Sequence, residues 1–324
     1  MHNNGSFLEN KFSAKGSLWK ERVSDLDKVS IIQKENNIPK LLAKILAGRD
    51  VNSSEVNSFL NPEFNKLILD PSKLYDLDKG VDFISDCMSK KQRIGILGDY
   101  DVDGATSSSI LKLFFDHYNI QTEIYIPDRL KEGYGPNKLA IDFFSNEGID
   151  TFITVDCGAT SIEPMIYAKS KGMNSIIIDH HKVDNDLPVS YAHINPSREE
   201  DSSGLNDLAA VGLTFIFIVG LRRAIRDKNI FPDIKEPSLK KYLDLVALGT
   251  VCDVVQLKVL NRGFVKEGIE IISRHSRLGI EALKSISGSK EIGVTELGYR
   301  IGPRINAAGR TVASDLGFRL LTSD

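Results

Sequence analysis

From about residue 93 onward, short apolar runs alternate with stretches whose apolar residues recur every three to four positions. The runs are RIGILGD, TEIYIPD, DTFITVD, MNSIIIDHH and YAHINP. Between them lie SSSILKLFFDHY, NKLAIDFFSNEG and SIEPMIYAKSKG. Short runs rich in β-branched residues suit strands, and the three-to-four spacing suits helices. Strand and helix in alternation predict an α/β fold, a parallel sheet flanked by helices on both faces. Strands that are continuously apolar predict burial of both sheet faces.

The flanking regions read as helix. IPKLLAKILAGRD and SSEVNSFLNPEF carry helical spacing, with Asp50 or Ser53 as cap candidates. After the sheet come LAAVGLTFIFIVGL, SLKKYLDLVALGTV and NRGFVKEGIEIISRHS, all with helical character. RDKNIFPDIKEPS, residues 226–238, reads as an exposed connection. The expected division is a loose N-terminus (1–18), a helical N-terminal region (19–92) and an α/β domain (93–324). Within that domain the sheet part covers about 93–205 and the helical part about 206–324. The chain carries no internal repeat, low-complexity tract or heptad pattern.

Bulk composition narrows the picture. Hydrophobic residues at 41% and charged residues at 26% fit a soluble globular protein. With 41 basic against 44 acidic residues, net −3, the chain does not coat nucleic acid by bulk charge, although a local basic groove is compatible. Cys87, Cys157 and Cys252 lie far apart with no CxxC. That argues against a disulfide framework and a cysteine zinc site, and points to reduced thiols in the cytoplasm. Leu208–Leu221, at 14 residues, is too short to span a bilayer and predicts a buried core helix. The polar opening MHNNGSFLENKFSAKGSLWK does not read as a secretory signal.

The chemistry gathers where the strands end. IGILGD runs into Asp99, Asp101 and Asp103; FITVD ends in Asp156; SIIIDHH ends in Asp179, His180 and His181. In open α/β sheets, functional groups collect at the carboxyl edge of the strands. Three strands therefore deliver carboxylates and imidazoles to one rim. Asp99, Asp101, Asp103 and Asp156 crowded there would repel one another, and divalent cations remove that conflict. An oxygen-rich set with one or two histidines suits Mn²⁺ or Mg²⁺ better than zinc. Neighbouring side chains on an extended backbone point to opposite sides. His180 is accordingly assigned as a metal ligand and His181 to the substrate side. Each element has a plainer reading: a solvated acidic turn, a helix-capping Asp156, an ordinary hydrogen-bonded histidine pair. An EF-hand is excluded because the downstream Glu is absent. Convergence of all three at strand ends of one sheet favours a site.

These residues carry a family resemblance. GDYDVDG (98–104), ITVDCG (153–158) and IDHH (178–181) resemble the first three motifs of the DHH phosphoesterase superfamily. LVALGTVCDVVQL (245–257) resembles its fourth metal-bearing segment, and Asp253 is named as a ligand on that resemblance alone. IPDRLKEGYGPN (126–137), INPSREEDS (194–202) with the following LAAVG, and RIGPRINAAGR (300–310) resemble the RecJ-type branch more narrowly. So does the helical region before the sheet, and the likeness runs from about residue 19 to the end. No segment resembles the DHHA1 domain or the OB-fold that follow in that branch, so an excised core or a shortened form is expected.

The resemblance implies a two-metal, single-stranded-DNA-specific 5′-to-3′ exonuclease of DNA repair and recombination. Its ions would lie about 3.5–4 Å apart and activate a water for in-line attack on phosphorus. The implied ligands are Asp99, Asp101, Asp103, Asp156, His180 and Asp253. Asp179 would orient a histidine, and His181 would contact a phosphoryl oxygen or protonate the leaving group. Arg129, Lys131, Arg304 and Arg310 are the phosphate candidates, their side chains matching phosphate charge. Tyr134 would stack on a base or, with Asn137, shape the EGYGPN turn. Asn306 completes the substrate-side set. Single-stranded DNA, and a single-strand binding protein or helicase, are the implied partners. The rival readings are a small-substrate DHH enzyme, such as an oligoribonuclease, phosphoadenosine phosphatase or family II pyrophosphatase, and a catalytically silent DHH scaffold.

Overall fold

The structure, a computed structural model, describes residues 12–18, 25–67, 70–274, 277–310 and 313–323. The chain divides into two compact units, residues 1–63 and 64–324. In the first, α1 (Leu26–Asn36) starts at Asp25, whose carboxylate accepts the Lys28 N–H, and ends at Asn37 in the left-handed conformation. Then come α2 (Lys40–Ala47), a 3₁₀ turn at Ser53–Glu55 and α3 (Val56–Leu60). Val29, Ile32, Ala43, Leu46, Val56 and Phe59 are buried. Neither expected cap is used. Asn52 caps the turn because Glu55, three residues on, accepts its N–H in a reciprocal box. Residues 12–18 form a turn closed by a Phe12–Leu18 bridge. The rest of the expected loose terminus, 1–11, lies outside the described residues.

The second unit opens with α4 (Phe64–Leu67) and α5 (Leu77–Ser89). Strands and helices then alternate as the pattern predicts: β1 (Ile94–Gly98), α6 (Val102–His117), β2 (Thr122–Tyr125), α7 (Lys138–Asn146), β3 (Thr151–Val155), α8 (Ile162–Ser170), β4 (Asn174–Ile178) and β5 (Ala192–Ile194). Helices α9 (Ala210–Asp227), α10 (Leu243–Cys252), α11 (Val259–Arg274) and α12 (Leu278–Ser287) follow. Finally α13 (Val294–Glu296) runs through a π turn (Leu297–Ile301) into α14 (Gly302–Ala308), and α15 (Leu316–Leu321) closes the described chain.

Helix α5, which the sequence pattern groups with the N-terminal region, lies in the second unit. Its stripe of Leu77, Gly80, Val81, Ile84 and Met88 is buried, and a Cβ on Gly80 would sit 3.3 Å from Ile194 and 3.4 Å from Ala192 of β5. An amphipathic stripe shows that a helix buries a face but not against which partner.

All strand pairs are parallel, in the order β2-β1-β3-β4-β5. Both faces are covered. Ile96, Ile153, Val155, Ile176, Ile178 and Ile194 belong to one core, with residues of α5, α6 and α9. Leu97, Phe152 and Ile177 belong to the other, with Ile141 and Phe144 of α7 and Met165 of α8. Alternate residues of each strand thus supply opposite cores. In this strand order the chain leaves β1 toward β2 on one side and returns to β3 on the other. That switch point, at the carboxyl ends of β1 and β3, is where such sheets open a crevice.

The long apolar run lies in α9, largely buried as expected. Among the described residues no helix is long and apolar enough to cross a membrane. The 226–238 connection is mostly exposed, but Phe231 stacks on Tyr118 at 5.0 Å and anchors it.

Candidate metal centre

The loops leaving β1 and β3 meet at the switch point. Asp99 and Asp156 follow the last residues of these strands, and both are buried. Asp101 caps α6, accepting the Gly104 N–H at 3.0 Å. Gly104 is dictated by space: a Cβ there would lie 2.4 Å from the Asp99 carbonyl oxygen. Asp156 has φ 61, a left-handed conformation that aspartate adopts at a cost.

Asp103, in the first turn of α6, does two jobs. Its oxygens accept the Ala210 N–H at 2.7 Å and the Val211 N–H at 2.9 Å, the opening amides of α9. Those N–H groups have no partner within the helix. Asp253, at the end of α10, reaches the same place because α10 packs closely on α6. Gly249 permits this approach, since a Cβ on it would lie 2.4 Å from Thr106 Oγ1 and 3.0 Å from Asp103 Oδ1.

His180 sits among these carboxylates. Its Nε2 is 3.3 Å from Asp156 Oδ1, 3.7 Å from Asp253 Oδ2 and 3.9 Å from Asp103 Oδ2. His181 does not point to the opposite side as expected but lies beside His180, ring centroids 4.5 Å apart: its Nδ1 is 2.8 Å from Asp179 Oδ1 and 4.0 Å from Asp156 Oδ1, and its side chain is half exposed. Asp179, wholly buried, also accepts the N–H groups of His180, His181 and Ala159. Tyr134 closes this side. Its hydroxyl donates to the Asp156 carbonyl at 2.8 Å and lies 3.2 Å from His181 Nδ1.

The titration behaviour separates the groups. Burial, then the charge of Asp101, pushes Asp99 up to about 7. Burial and the same neighbour push Asp253 up to about 6. Asp103 is driven upward by burial, then by the charges of Asp253 and Asp101. Asp156 is driven upward by burial, then by those of Asp103 and Asp101. Burial also raises Asp179, but the His181 ring and backbone donors outweigh it and hold that carboxyl below its ordinary value. His180 is lowered by burial and by His181, which keeps it neutral, the form that binds metal. His181 is raised by its hydrogen bond to Asp179.

These residues fit divalent cations. Ligand atoms of Asp99, Asp101 and Asp156, of Asp103, His180 and Asp253, and of Asp156, His180 and His181 each cluster within 4.8 Å. Asp99 Oδ1, Asp156 Oδ1 and His180 Nε2 are buried without a hydrogen-bond partner. Buried polar atoms are normally paired, so three unpaired ones converging among carboxylates mark a place for a cation.

The expected ligands Asp99, Asp101, Asp103, Asp156, His180 and Asp253 are therefore together, with Asp179 bonded to His181. The substrate-side candidates divide. The Arg129 guanidinium lies over the Tyr100 ring at 4.9 Å. Gly309 approaches Tyr100, and the Arg310 charge opposes the rise that burial imposes on the Tyr100 hydroxyl. Lys131 pairs with Asp128 at 3.2 Å. Asn137 takes the turn-shaping role: its oxygen caps α7 at Ala140, and its amide donates to Glu132. Arg304 donates to the Arg300 carbonyl within its own helical segment. Asn306 Oδ1 is buried and unpaired. Tyr100, under the Arg129 guanidinium, is missing from the sequence-based set, although an aromatic between two candidate ligands is its signal.

A parallel sheet with this cluster at its switch point defines a metal-binding α/β domain. Residues 93–250 match the model of the DHH family, N-terminal domain, and form a domain of that family. Within it the likeness is to RecJ. The chain is 32% identical to the single-stranded-DNA-specific exonuclease RecJ of Bacillus subtilis over 308 residues, 94% of this chain and 38% of that one. A crystal structure of exonuclease RecJ bound to manganese superposes with a TM-score of 0.68 at 30% identity, covering 77% of this chain and 61% of that one. RecJ of Thermus thermophilus in complex with Mn²⁺ gives 0.74 at 25% identity, covering 93% and 42%. The chain thus spans only part of each relative's length.

Proposed function

We propose that this chain is the catalytic core of a metal-dependent phosphodiesterase that removes nucleotides from single-stranded DNA in the 5′-to-3′ direction, in DNA repair and recombination. The observation that carries the reading is the meeting of unpaired Asp99 Oδ1, Asp156 Oδ1 and His180 Nε2 among further carboxylates. The names of the RecJ relatives support the substrate, and manganese in their structures supports the cofactor.

Asp99, Asp101, Asp103, Asp156, His180 and Asp253 would hold two divalent ions, Mn²⁺ or Mg²⁺. Such ions supply polarisation of the phosphoryl group and neutralisation of the charge developing on it. Asp179 holds the proton on His181 Nδ1, which leaves Nε2 of the protonated ring as a second donor for a phosphoryl or leaving oxygen, and the raised affinity of His181 for a proton suits that role. The Tyr134 hydroxyl also contacts that ring, 3.2 Å from the same Nδ1. Arg129, over the Tyr100 ring, and Arg310 would present planar donors to the backbone phosphates of the strand. Preference for single strands would follow from the shape of the cleft and stacking, not from base readout.

Both histidines and every matched carboxylate are present, which disfavours a silent scaffold. A single-strand binding protein or a helicase is the class of partner that would present such a strand. Three free thiols accord with the cytoplasm. The test is Mn²⁺-dependent release of mononucleotides from a 5′-phosphorylated single strand, run beside short oligoribonucleotides and pyrophosphate. Turnover of the single strand supports the reading; turnover of pyrophosphate alone overturns it.

A further inference from the structure

Val254 occupies a conformation that valine avoids. Its φ is 63, and it follows the ligand Asp253 at the end of α10. The other non-glycine residues with left-handed φ among the described residues are Asn, Asp or Lys; Val254 alone is β-branched. A residue just past a helix end commonly turns left-handed, and glycine is the usual choice because a Cβ is disfavoured there. Packing does not repay the strain, since Val254 is 84% exposed, more than any other large apolar residue described. Glycine would serve the turn better, and a polar side chain would be better solvated. Strain retained beside a ligand, with no structural return, points to function.

The two next most exposed apolar residues are Tyr299 at 81% and Leu130 at 79%. Leu130 follows Arg129. Tyr299 lies on the π turn, whose Leu297 carbonyl accepts from Cys252 at the end of α10. Apolar surface is therefore displayed by segments that adjoin the carboxylates. The carboxylate end of the cleft is matched to a phosphate. The parts of a nucleotide next to that phosphate, the sugar and the base, are those that offer apolar faces.

We propose that Val254 is a substrate-contacting residue whose methyl groups pack on the sugar or base adjoining the scissile phosphate. This rests on the functional reading above. It explains why a strained, solvent-facing valine stands where glycine would be better for the fold.

The experiment compares the wild-type chain with Val254→Gly and Val254→Asn, the second because asparagine accepts the left-handed conformation without glycine's extra chain freedom. Melting temperature is read by calorimetry. Affinity for a fluorescein-labelled single-stranded oligothymidylate is read in EDTA, so that nothing is cleaved. Release of strain raises the melting temperature of at least the Asn variant by about 2–4 °C. Loss of the methyl groups weakens binding by about three- to tenfold in both, and KM rises by the same factor with kcat held within about twofold. Unchanged affinity in both variants overturns the proposal, while a wild type that binds and cleaves the strand leaves the functional reading standing. Failure of both variants to gain stability overturns it too, because the strain would then be absent. A wild type that neither binds nor cleaves a single strand sinks the functional reading itself.

Discussion

The Tyr134 hydroxyl donates to the main-chain carbonyl of Asp156 at 2.8 Å, and the same oxygen lies 3.2 Å from His181 Nδ1. One side chain thus holds both the strained peptide of a proposed ligand and the ring of the proposed proton donor. Tyr134→Phe keeps the ring and removes the donor. Turnover of a single strand should fall by about tenfold, as loss of a positioning hydrogen bond does, with KM within about twofold. A variant as fast as wild type would mean that the hydroxyl only shapes the turn.

Metal-free stability should fall as pH rises. Asp99 and Asp253 hold their protons in the folded state to about 7 and about 6, against 3.8 for an exposed aspartate. Above 3.8 the unfolded chain releases these protons first, so the fold binds more of them and loses stability with each step upward. The contribution is full below 3.8 and gone once pH passes about 7. In EDTA, the melting temperature of an Asp99→Asn/Asp253→Asn double variant should decline less over that window than that of the wild type. Mn²⁺ should reverse the wild-type trend, because the ion competes with protons for the same oxygens. Parallel curves for the two proteins in EDTA would contradict the crowding.

Gly249→Ala should destabilise. In a helix interior this change ordinarily stabilises by roughly 0.5–1 kcal/mol. Here the new Cβ would meet Thr106 Oγ1 at 2.4 Å and Val211 Cγ1 at 2.8 Å. Overpacking of that kind costs about 1–3 kcal/mol, readable as a lower denaturant midpoint. A raised midpoint would show that α10 can withdraw from α6 without penalty.

Arg129→Ala and Arg310→Ala should each weaken single-strand binding in a salt-dependent way. Removing one phosphate contact lowers the slope of log affinity against log salt by about 0.7 for single strands. Binding measured across a salt series checks this. An unchanged slope would mean that the arginine makes no contact with the strand's phosphates.

The sheet is legible in the sequence because its central strands β1, β3 and β4 are largely apolar runs, and the candidate ligands are legible because Asp99, Asp156 and His180 terminate such runs. Asp253 is not, other than through resemblance: it ends a helix, and only the packing of α10 on α6 through Gly249 brings it in. The capping of α9 by Asp103 spans 107 positions, beyond any local pattern. The packing of α5 on β5 is not legible, because the stripe on α5 does not reveal which partner receives it. Tyr134 reads in the sequence as a stacking or turn residue, since no spacing could show that its hydroxyl meets a backbone carbonyl 22 positions away.

The account stands most directly on uptake of Mn²⁺ by the carboxylate cluster. Calorimetric titration of Mn²⁺ into the wild type should show saturable binding. Asp156→Ala and His180→Ala should lose it while keeping the wild-type circular dichroism spectrum. A wild type that takes up no Mn²⁺, or an Asp156→Ala chain that binds it as tightly, would contradict the assignment.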